Sequence, residues 1–480
     1  MAVIVLLLLL DFALTTALSW LNLAYLKRRA ASPLPPEWAA LLDTSRFPQM
    51  VAYREANTWL SQGARLTDLA VTLAILLSGL LPALARWAAA LPMAPVVQGL
   101  AVLAVLGGIS YLAGLPWGLL SDFGVERKFG FSTITFRTWL MDQVKSLFLA
   151  VVLGVPLAGV LLLLIERMGA TWWLPAWGVV TLFQLLVAYI APVVILPLFN
   201  KFEPLQDEAL REDIFALARK AGFPLGGVFQ INASLRSTHS NAYFTGFGKN
   251  RRIALFDTLL EQLSHHQILA VLAHEIGHWK KRHVLKGMVG GILLSGLGLA
   301  AAAWVLDHPW LYRAVGMEDL YRAVGPVGPV AAVGLFLFGV VASPLGLLLA
   351  PVANGISRRR EYQADAYSLE LYDHPTALEE GLIRLTEKNL SNLFPHPLAV
   401  VFYYSHPPLL QRVEAIRRRV AQRLFCERAR HFWKCLARSD ILQHLHRVHI
   451  HQPAPGDGDR AQEGGRVGVA EKDLPAVVPP

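Results

Sequence analysis

Residues 274–278 read His-Glu-Ile-Gly-His, preceded by the largely apolar run Gln267–Ala273 and followed by Trp279-Lys280-Lys281-Arg282-His283. On a helix, His274 and His278 stand four residues apart, so both imidazoles project from one face and can close on a single metal ion. Glu275 stands beside them. Two neutral imidazoles holding zinc, with a carboxylate that takes a proton from water on the ion, make a hydrolytic centre. The pattern predicts one zinc ion per chain, and that ion needs a third protein ligand. Ser264-His265-His266-Gln267 has the Ser-x-x-Gln form of a capping box and predicts where the helix starts. The alternative is a coincidence of residue types on a membrane-proximal helix, but Gly277 inside the motif favours a close-packed site over a solvated face.

Glu361 and Asp365 are the best candidates to complete the centre, because they lie at i and i+4 with Ala364 and Ala366 leaving room around them. Glu361 can bind the ion while Asp365 accepts the free ring N–H of a ligating histidine, which fixes its tautomer and raises its basicity. Taken alone, the segment reads equally well as a helix start that pairs with Arg358-Arg359-Arg360; the topology below favours the ligand. Asn241-Ala242-Tyr243 opens a predicted strand just ahead of the motif helix, and an edge strand there can pair with an extended peptide. A strand that merely packs is the alternative. His406, in Tyr404-Ser405-His406-Pro407-Pro408, can donate to the oxyanion of a tetrahedral intermediate; beside a proline it can equally be structural.

The elements that position these residues lie in a membrane. Of 480 residues, 54% are hydrophobic and only 16% charged, which excludes a soluble enzyme. The net charge of +9 arises from cations beside apolar runs, where the positive-inside rule explains them, so the bilayer is the expected partner and nucleic acid is not. Apolar runs at 2–25, 68–91, 97–120, 147–165, 173–198, 284–306 and 329–354 predict seven spans. The loops after spans one, three, five and seven hold Lys27-Arg28-Arg29, Arg127-Lys128, Lys280-Lys281-Arg282 and Arg358-Arg359-Arg360, and those after the even spans are short or nearly neutral. This places the amino terminus outside and the carboxyl terminus, with the motif, on the cytoplasmic side. The motif helix is expected to run straight into the sixth span.

Between 200 and 283 the pattern predicts a helix over 204–222 and strands at 227–231, 242–247 and 253–256, with a turn at Gly248-Lys249-Asn250. A second helical stretch, 409–436, is basic and amphipathic, and from His451 the composition is that of a disordered tail. The organisation read is 1–199, five spans; 200–283, the motif region with a small sheet; 284–354, two spans; 355–425, a carboxyl-terminal catalytic region; 426–480, a basic segment and tail. Two cysteines, Cys426 and Cys435, are too few for a disulfide framework. With His444, His446, His449 and His451 they match no zinc-finger spacing, so no second metal site is expected.

HEIGH followed by EYQAD, with FNKFEPL at 199–205, NAYFTGFGKNRRIALFDTLL at 241–260 and YSHPPLLQR at 404–412, resembles the type 1 CAAX prenyl proteases and their bacterial relatives, integral-membrane zinc metallopeptidases. The likeness runs from about residue 30 to 420. It implies a mainly α, polytopic fold with seven helices around an intramembrane chamber and a gluzincin-like site on the cytoplasmic side. It also implies zinc ligands His274, His278 and Glu361, the base Glu275, and supporting roles for Asp365 and His406. Asn241, Ala242, Tyr243 and Arg412 are the expected substrate-binding residues. EYQAD stands where EFQAD is commoner, and LPWGLLSD at 115–122 lacks the usual tyrosine. The implied substrate is a peptide or protein, prenylated at a cysteine three residues from its end or drawn more broadly from membrane proteins, in a bacterial plasma membrane or an endoplasmic reticulum. A non-proteolytic binding or translocon-clearing factor would use the same chamber without hydrolysis, and the intact motif argues against it. A transporter, suggested by seven spans and Asp11, would need a repeat or ionisable residues spread through the spans, and neither is present.

Overall fold

The computed structural model describes residues 1–245 and 251–438. The expected turn at 248–250 and the tail from His451, with the histidines grouped there, lie outside the described residues. The chain divides into units 1–420 and 421–480.

Among the described residues, seven helices are long and apolar enough to cross a membrane: Ala2–Ala30, Thr44–Leu77, Pro95–Lys128, Phe136–Thr171, Trp173–Phe199, His283–Leu306 and Pro329–Leu371. Six include the apolar runs read from sequence. The second does not coincide with 68–91. Its helix starts at Phe47 and stops at Leu77, where Ser78 and a left-handed Gly79 (φ 77°) break it before a separate helix, Leu80–Ala89. Arg54, Glu55, Arg65 and Asp68 dilute the hydropathy of the true span, which pushed the apolar window toward the carboxyl side of the break.

The seventh span has 43 residues, about 65 Å of helix, roughly twice an apolar bilayer core. Its amino-terminal part, Val330–Val333, is wholly buried against Leu306, Tyr312 and Val102 in a core built from several spans. Its other end, past Arg358-Arg359-Arg360, carries Glu361 and Asp365 out of the apolar stretch. Between the first, second and seventh spans lies a cavity of about 670 Å³, whose polar lining includes Asp11, Thr15, Arg65 and Asp68. Asp11 thus faces a cavity and not lipid, as an ionisable residue within a span must.

A four-stranded sheet caps the motif region, in the order β1-β2-β4-β3, with β1 Phe202–Pro204, β2 Leu225–Ile231, β3 Ala242–Thr245 and β4 Arg251–Phe256. β2 and β4 are parallel, Val228 opposite Ile253, and β3 runs antiparallel to β4, Ala242 opposite Leu255. β1 was not foreseen; three residues ending in proline give no alternation to detect. A helix, Glu208–Ala221, starts at an Asp207 cap and ends at a left-handed Gly222. It packs Leu210, Ile214 and Leu217 on Val228 and Leu255 of the sheet and on Leu269, Leu272 and Ile276 of the motif helix. That helix is therefore fixed by a core on its far side, which leaves its opposite face for chemistry.

Candidate active site

The motif helix, His265–Lys280, begins at a complete capping box: Gln267 N–H donates to the Ser264 hydroxyl, and Ser264 N–H donates to the Gln267 side chain. It stops at Lys280, and the sixth span starts afresh at His283. The expectation of one continuous helix is corrected here. Arg282 takes φ 57°, a left-handed conformation that costs a non-glycine residue roughly 1–2 kcal/mol. The break turns the chain so that His283 comes back against His278.

The motif helix lies along the end of the seventh span. A Cβ on Gly277 would meet the Ala364 backbone at 3.1 Å, so the absence of a side chain is what lets the two helices approach. Ser368, one turn beyond Ala364, donates from Oγ to the Ala270 carbonyl at 2.8 Å. This contact brings His274, His278 and Glu361 together, one donor atom from each, all within 4.8 Å of one another. His274 Nε2 and His278 Nε2 are 3.1 Å apart. The Glu361 oxygens lie 3.4 Å from the first and 3.3 Å from the second. Three ligands about 2.0–2.2 Å from a tetrahedral ion stand roughly 3.3–3.5 Å from each other, so the spacing fits.

The donor chemistry fits as well. His274 donates through Nδ1 to Asp365 Oδ1 at 2.8 Å. His278 Nδ1 lies 3.2 Å from His283 Nδ1, and His283 Nε2 lies 2.9 Å from Gln363 Oε1. Because Gln363 Oε1 can only accept, His283 carries its proton on Nε2, and its Nδ1 accepts from His278. Both imidazoles then point an Nε2 lone pair at the same spot, beside a Glu361 Oε2 that is buried without a hydrogen-bond partner. Lone pairs and an orphaned carboxylate oxygen converging in a buried place are what a cation satisfies. Without one, burial disfavours a charge on His274, but the Asp365 and Glu361 carboxylates outweigh it and raise its pKa to about 9. A metal ion must displace that proton.

Arg412 is buried, with Nη2 2.6 Å from Asp365 Oδ1 and Nε 3.0 Å from Oδ2. Burial opposes its charge, yet Asp365 and Glu361 hold its pKa above the ordinary guanidinium value. The structure thus commits this residue to Asp365, where the sequence reading grouped it with the substrate. Glu275 is half-buried and makes no hydrogen bond or ion pair among the described residues. His406 brings Nε2 to 3.5 Å from Glu361 Oε1, with its side chain 64% exposed, and its Nδ1 lies 3.0 Å from Ser405 Oγ. Its loop is strapped to the seventh span, Arg358 donating to the carbonyls of Val400 and Tyr404 at 2.7 and 2.8 Å. Phe402 and Tyr403, just before that loop, wall the large cavity between the spans.

Ala242 and Tyr243 open β3 at the sheet edge, with Asn241 just before it, away from the His274–His278–Glu361 cluster in sequence but beside the motif helix in the fold. Asn241 is exposed and folds its side-chain oxygen onto the Ala242 N–H at 2.8 Å; Ala242 is buried and Tyr243 half-buried. Sequence reasoning missed His283 and Gln363. A third histidine nine residues after His274 was visible, but on a continuous helix it would face away from His278.

A seven-span helical protein in which an HExxH helix meets a distant glutamate is a membrane-embedded metallopeptidase. Comparison with known proteins gives the family. Residues 23–201 match the CAAX prenyl protease amino-terminal domain of five membrane helices, and residues 204–420 match peptidase family M48. The CAAX prenyl protease 1 homolog of Arabidopsis thaliana is 34% identical over 83% of this chain and 93% of its own length. CAAX prenyl protease 1 of Saccharomyces cerevisiae is 35% identical over 83% and 91%. The crystal structure of S. mikatae Ste24p, 34% identical, superposes with a TM-score of 0.79 over 86% of this chain and 98% of that one. The chain belongs to peptidase family M48, among its CAAX prenyl proteases, and is an integral-membrane metalloendopeptidase.

Proposed function

We propose that the metal is zinc and that the substrate is a peptide ending in a prenylated cysteine and three further residues, cut after that cysteine. Two imidazoles and one carboxylate are a zinc donor set with a position left open. The substrate reading is supported by the names of relatives matched over more than nine-tenths of their length. The observation that carries the proposal is the convergence of His274, His278 and Glu361, with Glu275 next to His274 in the chain.

In this reading His274, His278 and Glu361 hold the ion, which when bound supplies a Lewis acid and lowers the pKa of water. Glu275 accepts the proton of the attacking water and returns it to the departing amine. No cation lies within ion-pair distance of it among the described residues. His406, whose side chain is exposed, donates from Nε2 to the developing oxyanion, with Ser405 holding Nδ1. Asp365 orients His274, and Arg412 keeps Asp365 ionised although buried. The free edge of β3, Asn241 to Tyr243, takes the extended peptide by backbone hydrogen bonds. The flanking cations support an amino terminus outside and a cytoplasmic catalytic region, in a plasma or endoplasmic reticulum membrane.

Purified protein tests this directly. Glu275→Gln should keep one zinc and cleave at least 100-fold more slowly, as expected for loss of a general base; His274→Ala and Glu361→Ala should lose metal and activity together. Full activity of Glu275→Gln refutes the mechanism, and one retained zinc in Glu361→Ala refutes the third ligand. Equal cleavage of matched peptides with and without the prenyl group refutes the substrate.

A further inference from the structure

The fourth and fifth spans pack on each other, and the start of one meets the end of the other. Lys145, in the first half of the fourth span, donates from Nζ to the Leu198 carbonyl at 2.9 Å and lies 5.7 Å over the Phe199 ring. Beside this contact is a cavity of about 510 Å³, separate from the active site, with the charged lining Arg137, Asp142, Lys145, Lys201 and Arg236. Four cations share it with one carboxylate. Arg236 takes both oxygens of Asp142, at 2.7 and 3.0 Å, so that pair is neutral. Arg137, Lys145 and Lys201 have no carboxylate within ion-pair distance among the described residues. Three net positive charges therefore line one concave space.

Its surroundings are apolar. Met141 is 49% and Leu198 41% exposed on the cavity wall, and Leu140, Val144 and Val194 continue the exposed apolar surface along the same two spans. Cations that served only as topological markers would extend into water from a convex surface. Here Lys145 is tied back to a span terminus, and the charges converge over a cavity the size of a small-ligand site. We propose that this is a binding site for an anionic glycerophospholipid, the phosphate held by Arg137, Lys145 and Lys201 and the acyl chains lying along Leu198, Val194 and Met141. Phosphate alone would meet the same three cations, but it leaves the apolar wall uncovered. The lipid is the occupant that satisfies both halves of the site.

The test uses the full chain, delipidated in a neutral detergent, and native mass spectrometry of lipid retained on titration. Three juxtamembrane cations imply that dioleoyl phosphatidylglycerol is held about 100-fold more tightly than dioleoyl phosphatidylcholine. Arg137→Gln, Lys145→Gln and Lys201→Gln combined should abolish that preference, with zinc content and peptide cleavage unchanged as evidence of folding. If the triple variant does not fold, Lys201→Glu alone, at an exposed position, should lower phosphatidylglycerol retention at least tenfold. Undiminished preference in the variant that folds overturns the proposal. So does displacement of phosphatidylglycerol by an equal concentration of inorganic phosphate, which would mark a site for the free anion.

Discussion

Replacing His283 by alanine removes none of the proposed metal ligands, yet it should weaken metal binding. His278 donates from Nδ1 to His283 at 3.2 Å, and His283 is anchored on Gln363 at 2.9 Å. Without His283 the imidazole of His278 is free to rotate and to present either nitrogen. A neutral hydrogen bond contributes about 1 kcal/mol net, and a buried donor left unpaired costs about 1–3. The His278 side chain is 21% exposed, so water can take over part of the interaction and the lower half of that range applies. A loss of about 1.4 kcal/mol is tenfold in affinity, at the low end of what partners of metal-ligating histidines contribute. Asp365, which holds His274, is 2% exposed and charged; Asp365→Ala should cost at least 100-fold. The assay is competition for zinc against a chelator of known affinity, read as metal retained per chain. His283→Asn, whose side-chain oxygen can sit near the lost Nδ1 position, should recover part of the affinity, and turnover at saturating zinc should stay within a few-fold of the unchanged protein. If His283→Ala holds zinc as tightly as the unchanged protein, or if Asn and Ala behave alike in folded protein, the relay does not position His278.

Arg412→Ala should destabilise the fold by about 3–5 kcal/mol, because it leaves the Asp365 carboxylate buried without its cation; thermal unfolding in detergent reads this, and Arg412→Lys should fall between, since an ammonium cannot grip both oxygens. An unfolding midpoint unchanged in Arg412→Ala would show that Asp365 is served by His274 alone. Gly277→Ala places a methyl 3.1 Å from the Ala364 backbone, which neither helix can yield without separating. About 1–3 kcal/mol of strain, with zinc loss disproportionate to the change in secondary structure, is expected by circular dichroism and metal analysis.

How much of this was readable depends on the distance over which each interaction acts. The HEIGH helix was legible because its signals are local: a capping box, an apolar stripe and histidines at i and i+4. Glu361 and Asp365 were legible because their own i, i+4 spacing repeats the period, although which helix they face is a property of the tertiary fold. The second span was misplaced because hydropathy averages over a window and cannot see that charged residues on a cavity-facing side still belong to a span. His283 was unreadable for a more specific reason. The break that brings it to His278 falls at Lys281-Arg282, two good helix formers, with no glycine, proline or asparagine to announce a left-handed residue. What holds Arg282 in that conformation is the placement of the helices on either side, the motif helix by its core against the sheet and the sixth span by its packing on the fifth and seventh. The strain is thus local, and its cause is distant. The same holds for Arg412, whose position in YSHPPLLQR marks it as belonging to the site, while its direction, toward Asp365, is set by where the last helix lands. The proposed metal ligands could be inferred from type and spacing. Residues that hold those ligands in place could not, because several arrangements of the same sequence pattern would place them elsewhere.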